Sequence, residues 1–145
     1  MNFRTELAAM RTLTTIVALT LITSLTACAS SMGLRCTGRE QHGVLDTLYF
    51  GAGTPDGTLS HEDWSQFLQV TVTPRFPQGL TVFAAEGQWL GKQAIPVHLP
   101  TYVLQIVHPD TAQNDGLMTE IISAYEARFR QESVLRIKVD TCYSF

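Results

Sequence analysis

The order of apolar and polar residues divides the chain into one export-type segment and a series of strands and helices. Residues 12–27 (TLTTIVALTLITSLTA) form an uncharged run, with Arg4 and Arg11 before it and small residues at its end. A basic start, an apolar centre and a small-residue end describe an export signal. The run is too short and too rich in Thr for a membrane span, which needs about 20 apolar residues. Further on, residues 44–50 (VLDTLYF) predict a strand, and the cluster GAGTPDG at 51–57 a turn. Ser60, with Asp63 three residues on, reads as a helix cap close to a capping box. Trp64, Phe67, Leu68 and Thr71 recur at i, i+3, i+4 and i+7, one face of a helix that Pro74 ends near Val72. Residues 80–90 (LTVFAAEGQWL) predict a second strand, with Gly87 as a bulge position and Gly91-Lys92 as a hairpin turn. Residues 102–108 (YVLQIVH) predict a third, Pro96 and Pro100 confining ladder pairing before it. A second helix is expected over about residues 112–130. Its apolar stripe is Leu117, Met118, Ile121, Ile122, Tyr125 and Phe129, and Arg128 and Arg130 suit its negative end. Residues 133–140 (SVLRIKVD) alternate and predict the last strand.

This order is β-α-β-β-α-β. It predicts an α+β domain of the ferredoxin-like βαββαβ type, four antiparallel strands with two helices on one face and the last strand beside the first. The chain then divides into a signal segment (1–27), a tether (28–43) and a single α+β domain (44–145). The helices leave the other sheet face open. On the first strand Val44, Leu48 and Phe50 are the inner set, with Leu45, Thr47 and Tyr49 outside. On the third, Tyr102, Leu104 and Ile106 are inside, with Val103, Gln105 and Val107 outside. On the last, Leu135, Ile137 and Val139 are expected toward the helices, and Arg136 and Lys138 toward the open face. That face, with Tyr49, Trp89, Val103, Val107, Arg136 and Lys138, is more apolar than solvent demands. It reads as a homodimer interface or a ligand platform, or as a face covered by the tether and residues 88–99.

Composition narrows the class. The chain has 145 residues, 45% hydrophobic and 16% charged, with a formal net charge of −3. One domain fits that length, and a disordered chain is excluded by the high hydrophobicity. Ten Lys and Arg against thirteen Asp and Glu leave no basic excess for a nucleic-acid partner. The mean hydropathy of +0.07 owes much to the first 27 residues.

The cysteines sharpen the compartment. Leu25-Thr26-Ala27-Cys28 resembles the lipobox of bacterial lipoproteins, whose Cys is lipid-modified and becomes the first mature residue. That resemblance implies a membrane anchor at Cys28 on the periplasmic face of the envelope. Ala29 and Ser30, with no Asp beside the Cys, are similar to lipoproteins sorted to the outer rather than the inner membrane. Met10-Arg11 would itself make a compact signal start. Cys36 and Cys142 then remain, and in an oxidising compartment they are expected to pair. The rival, a metal or redox pair, has neither a CxxC nor a neighbouring His to support it.

Candidate chemistry is sparse. His108, before Pro109-Asp110 at a strand end, stands where a general base can stand, although a His that merely caps a strand is the commoner case. His42, His61 and His98 have no ligand spacing, so no metal is expected. Gly51-Ala52-Gly53 is not a phosphate loop, and no GxSxG is present, so no cofactor or catalytic set is expected. The leading expectation is a non-catalytic envelope lipoprotein that binds a partner or packs on itself. The alternative is a small-ligand-binding protein or a cofactor-free enzyme of the dimeric α+β barrel type. It would use the open face, with Tyr49, Trp89, His108 and Arg136 near the pocket.

Several stretches resemble one bacterial family, domain of unknown function 3574. They are Leu48-Tyr49-Phe50-Gly51, Pro55-Asp56-Gly57, Trp64, Thr73-Pro74-Arg75-Phe76-Pro77 with Gly79-Leu80-Thr81-Val82, Gly87-Gln88-Trp89, Val107-His108-Pro109 and Gln131-Glu132-Ser133-Val134-Leu135-Arg136. The similarity spans about residues 45–145. Members look like small exported or lipid-anchored proteins, and the family carries no assigned activity.

Overall fold

The computed structural model describes residues 33–55, 57–90 and 96–145; the export-type segment, Cys28 and the Gly91-Lys92 turn lie outside them. The stretch around VLDTLYF forms strand β1 (Gln41–Gly51), which begins earlier than the pattern predicts. The turn cluster folds back as a small hairpin, β2 (Gly53–Thr54) with β3 (Gly57–Thr58). Helix α1 (His61–Phe67) starts at Ser60. The Ser60 hydroxyl accepts from the Asp63 backbone N–H (3.1 Å) and donates to the Asp63 carboxylate (2.6 Å). That cap satisfies one of the helix's orphan donors. A π-helical segment, Leu68–Val72, continues it and ends just before Pro74. Strands β4 (Thr81–Leu90) and β5 (Pro96–His108) follow. Helix α2 (Ala112–Phe129) is capped by Thr111, whose hydroxyl accepts from the Asn114 N–H (3.1 Å), and closed by Arg130 in the left-handed region at φ 54°. Strand β6 (Leu135–Tyr143) ends the fold.

The class is α+β, a four-stranded antiparallel sheet with two helices. Its strand order is β4-β5-β1-β6, so the last strand lies antiparallel beside the first. Leu48, Phe50, Leu104 and Ile106 on one sheet face meet Trp64 and Phe67 from α1 and Met118, Ile121, Tyr125 and Phe129 from α2. The Phe50 ring centre lies 4.5 Å from Tyr125 and 5.3 Å from Trp64. These separations suit tilted and edge-on aromatic pairs, which add to the area they bury. Cys36 and Cys142 are joined, with Cα atoms 5.4 Å apart. The bond ties the entry to β1 to the end of β6.

Three expectations are corrected. Gly87 marks no bulge, because β4 and β5 pair without a break from Thr81–Gln105 to Leu90–Pro96. Its need is space: a Cβ there would meet the Thr101 hydroxyl at 2.5 Å. Next, β5 begins at Pro96, not at residue 102. The Pro100 carbonyl accepts from the Ala52 N–H (2.8 Å), so Pro100 turns its missing donor toward β1. Pro96, four residues away, faces the same side by alternation, and the ladder to β4 survives. The third correction is the sidedness of β6. Leu48 pairs with Arg136 and Asp46 with Lys138, and directly opposed residues share a face. Arg136 and Lys138 therefore lie on the helix side, while Leu135, Ile137 and Val139 face outward.

Candidate functional site

The reason for that inversion is Asp46. It sits among the inward residues of β1 and is fully buried. An ionised carboxylate in such a place costs several kcal/mol unless it is paired. Arg136 supplies a two-pronged grip, Nε to Oδ1 at 2.7 Å and Nη2 to Oδ2 at 2.8 Å. The His108 Nε2 stands 2.8 Å from Oδ2. The core side of β6 thus carries its charged residues, Arg136 and Lys138 with Asp140 beyond them, and its aliphatic residues are left for the other face.

The network continues into α2. The Arg136 Nη2 also donates to Asp115 Oδ1 (2.8 Å), and Lys138 donates to Asp110 (2.6 Å) with Asp115 at 3.5 Å. The Arg136 hydrogen bond and charge hold the Asp115 carboxyl below the usual carboxylate range. The hydrogen bond from Lys138 to Asp110 holds the ammonium above its ordinary value. Arg136 is raised in turn, first by Asp46. The other His108 nitrogen, Nδ1, faces the Pro109 carbonyl at 2.8 Å, and the Phe76 ring packs 5.1 Å away. Both ring nitrogens are engaged and the side chain is 4% exposed, so the imidazole is not presented to a substrate. Chemically this cluster pins the first turn of α2 to the sheet.

The opposite face has another character. By register its positions are Leu45, Thr47 and Tyr49 on β1, Val97, Leu99, Thr101, Val103, Gln105 and Val107 on β5, Thr81, Phe83, Ala85, Gly87 and Trp89 on β4, and Leu135, Ile137, Val139, Thr141 and Tyr143 on β6. No charged side chain occupies any of them. Phe83, Leu135, Ile137 and Val139 are each more than two-fifths exposed. The polar spot at its middle is a Gln105 amide donating to the Thr47 hydroxyl (3.4 Å).

The four residues read from the sequence as a pocket fall on two sides. Tyr49 and Trp89 belong to the open face, Trp89 far out on the β4–β5 hairpin. His108 and Arg136 lie on the helix side, both on Asp46. They do not converge, and the open-face position expected for Arg136 is corrected by its grip on Asp46. A depression of about 400 Å³ beside α1, lined by Ser60, Asp63, Arg128 and Phe129 among others, contains none of them. Among the described residues no three His, Cys, Asp or Glu side chains group as a metal site. Asp46 was the residue the sequence reading missed. Its signal was a carboxylate in phase with Val44, Leu48 and Phe50.

No curated protein matches the chain. Two solved structures of a phage SAM lyase share the fold. The complex with S-methyl-5'-thioadenosine aligns at a TM-score of 0.56 and 17% identity, covering 79% of this chain and 95% of that one. The apo form aligns at 0.55 and 18%, covering 77% and 94%. A family model described as "Protein of unknown function (DUF3574)" matches residues 45–145, from within β1 through β6 with both helices. The chain belongs to that family.

Proposed function

We propose that this is an exported envelope protein, anchored by lipid at Cys28, whose domain is a non-catalytic module that assembles with further copies of itself through the open sheet face. The observation that carries the assembly is the uncharged outer face. An antiparallel sheet with one wet face normally reads polar-out, and edge strands normally carry charge to prevent association. Here β6 turns its charges inward and its aliphatic residues outward. Four staggered strands about 4.8 Å apart and about 30–43 Å long give the face roughly 20 by 30 Å in projection. Side-chain relief raises the accessible area above that, toward the roughly 800 Å² per partner of a standard interface. The lipobox-like Leu25–Cys28 end of the apolar run supports export and anchoring on the periplasmic side, the outer membrane being favoured by Ala29 and Ser30.

Native mass spectrometry of the full-length chain in mild detergent tests the assembly. The expected result is an oligomer for the natural sequence and a monomer for Ile137→Lys, with the fold intact. A monomeric natural protein overturns it. The same spectra report whether Cys28 bears lipid.

A second reading is favoured by one observation, the fold shared with a lyase solved with S-methyl-5'-thioadenosine. On that reading the open face, closed over by a second copy, holds a small nucleoside-type ligand. Calorimetric titration with S-methyl-5'-thioadenosine and with SAM tests it. The face lacks a carboxylate for a sulfonium cation, so this reading expects heat from the neutral thioether to exceed heat from SAM, and no heat from either overturns it.

A further inference from the structure

Past its last residue pair with β1, Gly51 with Thr101, the sheet continues as a two-stranded ribbon, residues 86–90 against 96–100. Its base is supported, since Leu99 packs where a Gly53 side chain would stand. Among the described residues its outer part has no third strand. A hairpin on its own is marginal in water unless an apolar side is covered. Trp89 is 48% exposed and Leu90 67%, and as neighbours in a strand they point from opposite sides of the ribbon. A copy of the protein laid on the open face covers only the Trp89 side. A lipid interface surrounds both. Among the described ribbon residues the acidic or basic side chains are Glu86, at the base, and His98, opposite Gln88.

We propose that the end of this ribbon is a second membrane contact, with Trp89 and Leu90 entering the headgroup–acyl boundary of the bilayer that holds Cys28. The proposal rests on the anchoring reading above and not on self-association. Reach permits it. Eight residues of chain from Cys28 to Cys36 span at most about 28 Å, and Cys36 is fixed to Cys142. The domain is therefore held close to an anchored Cys28. The ribbon leaves the sheet at the end opposite the disulfide, so its contact lays the strands along the membrane surface. Trp is favoured at the headgroup level, and an apolar element lying there is buried by about 5–10 Å.

The chain has two Trp, and the other, Trp64, is 2% exposed and stacked on Tyr102 in the core. Fluorescence of the full-length protein in phosphatidylethanolamine–phosphatidylglycerol vesicles with brominated acyl chains therefore reads Trp89. The expected result is loss of the Trp89 share of emission relative to unbrominated vesicles, no quenching in Trp89→Phe, and weaker quenching in Leu90→Lys. Unquenched emission in the natural protein overturns the proposal, including a blue-shifted but unquenched signal, which means another copy covers Trp89. Mass spectrometry of the same sample separates the two failures. A lipidated Cys28 with unquenched Trp89 overturns the membrane contact alone, whereas an unmodified Cys28 overturns the anchor and this contact together.

Discussion

Asp46 sets the behaviour of the residues around it. Its carboxylate is buried and receives Arg136 and His108, so its charge is compensated only while those partners stay in place. Asp46→Asn keeps the shape and removes the charge, leaving the Arg136 guanidinium partly buried without its main counterion. Removing one member of a buried pair costs about 3–5 kcal/mol, and urea unfolding should show a loss of that size. A loss below 1 kcal/mol would mean that the cluster is replaceable. Asp115, at the exposed edge of the cluster, gives a pH dependence. Its folded carboxyl is held low by Arg136, while in the unfolded chain it titrates near 3.9. The stabilisation is thus fully present above about pH 4 and is lost as pH falls through the lower folded value. The urea midpoint of the natural protein is expected to fall more steeply below pH 4 than that of Asp115→Asn, and parallel curves contradict the pairing. Asp46 itself was visible in the sequence as a carboxylate on the inward phase of a strand. Hydrophobicity alone ranked Leu135, Ile137 and Val139 inward, because it has no term for the cation a buried carboxylate requires.

At the scale of elements, periodicity located all four main strands and both helices, since each is amphipathic enough to show its period. The sequence also supplied one cap, Ser60, because its side chain bonds the backbone locally, whereas the Thr111 cap of α2 was not read from it. What a period of two cannot supply is which of its two faces is inner. On β1 and β5 the core side was plain from Phe50, Leu104 and Ile106. On β6 both sides offered a consistent set, one aliphatic and one charged, and only the pairing of Leu48 with Arg136 decides. The length of β5 was hidden for a different reason. Two prolines normally end a ladder, and they are harmless here because both turn away from β4. The π-helical turn at Leu68–Val72 leaves no signature that a helical period would miss, since Trp64, Phe67 and Leu68 fit either winding. The ribbon end with Trp89 was legible as sequence, but its isolation from β1 was a matter of topology.

The whole molecule depends on how β6 is held. It is an edge strand with one ladder, to β1, an ion-pair network on its inner side and an uncovered apolar row on its outer side. The disulfide to Cys36 closes a loop of just over a hundred residues. In the chain-entropy model such a loop is worth up to about 4–5 kcal/mol. The sequence led to this bond through compartment and to the strand order through pattern, and the two meet where β6 runs beside β1. That placement makes a spatial prediction beyond a lower midpoint. With Cys36 and Cys142 both replaced by Ser, the ion pairs at Arg136 and Lys138 still hold the first half of β6. The second half, Val139 to Tyr143, keeps its ladder to the start of β1 and the packing of the Tyr143 ring over Gly43, with no ion pair to reinforce them among the described residues. Local opening follows the least supported backbone. Native-state hydrogen exchange of the double variant should therefore show the amides of residues 139–143 and 41–44 exchanging by a low-energy opening. Those of Leu48, Phe50, Leu104 and Ile106 should exchange only with global unfolding. A uniform loss of protection would mean that the bond stabilises by constraining the unfolded chain alone, with no local role in keeping β6 docked.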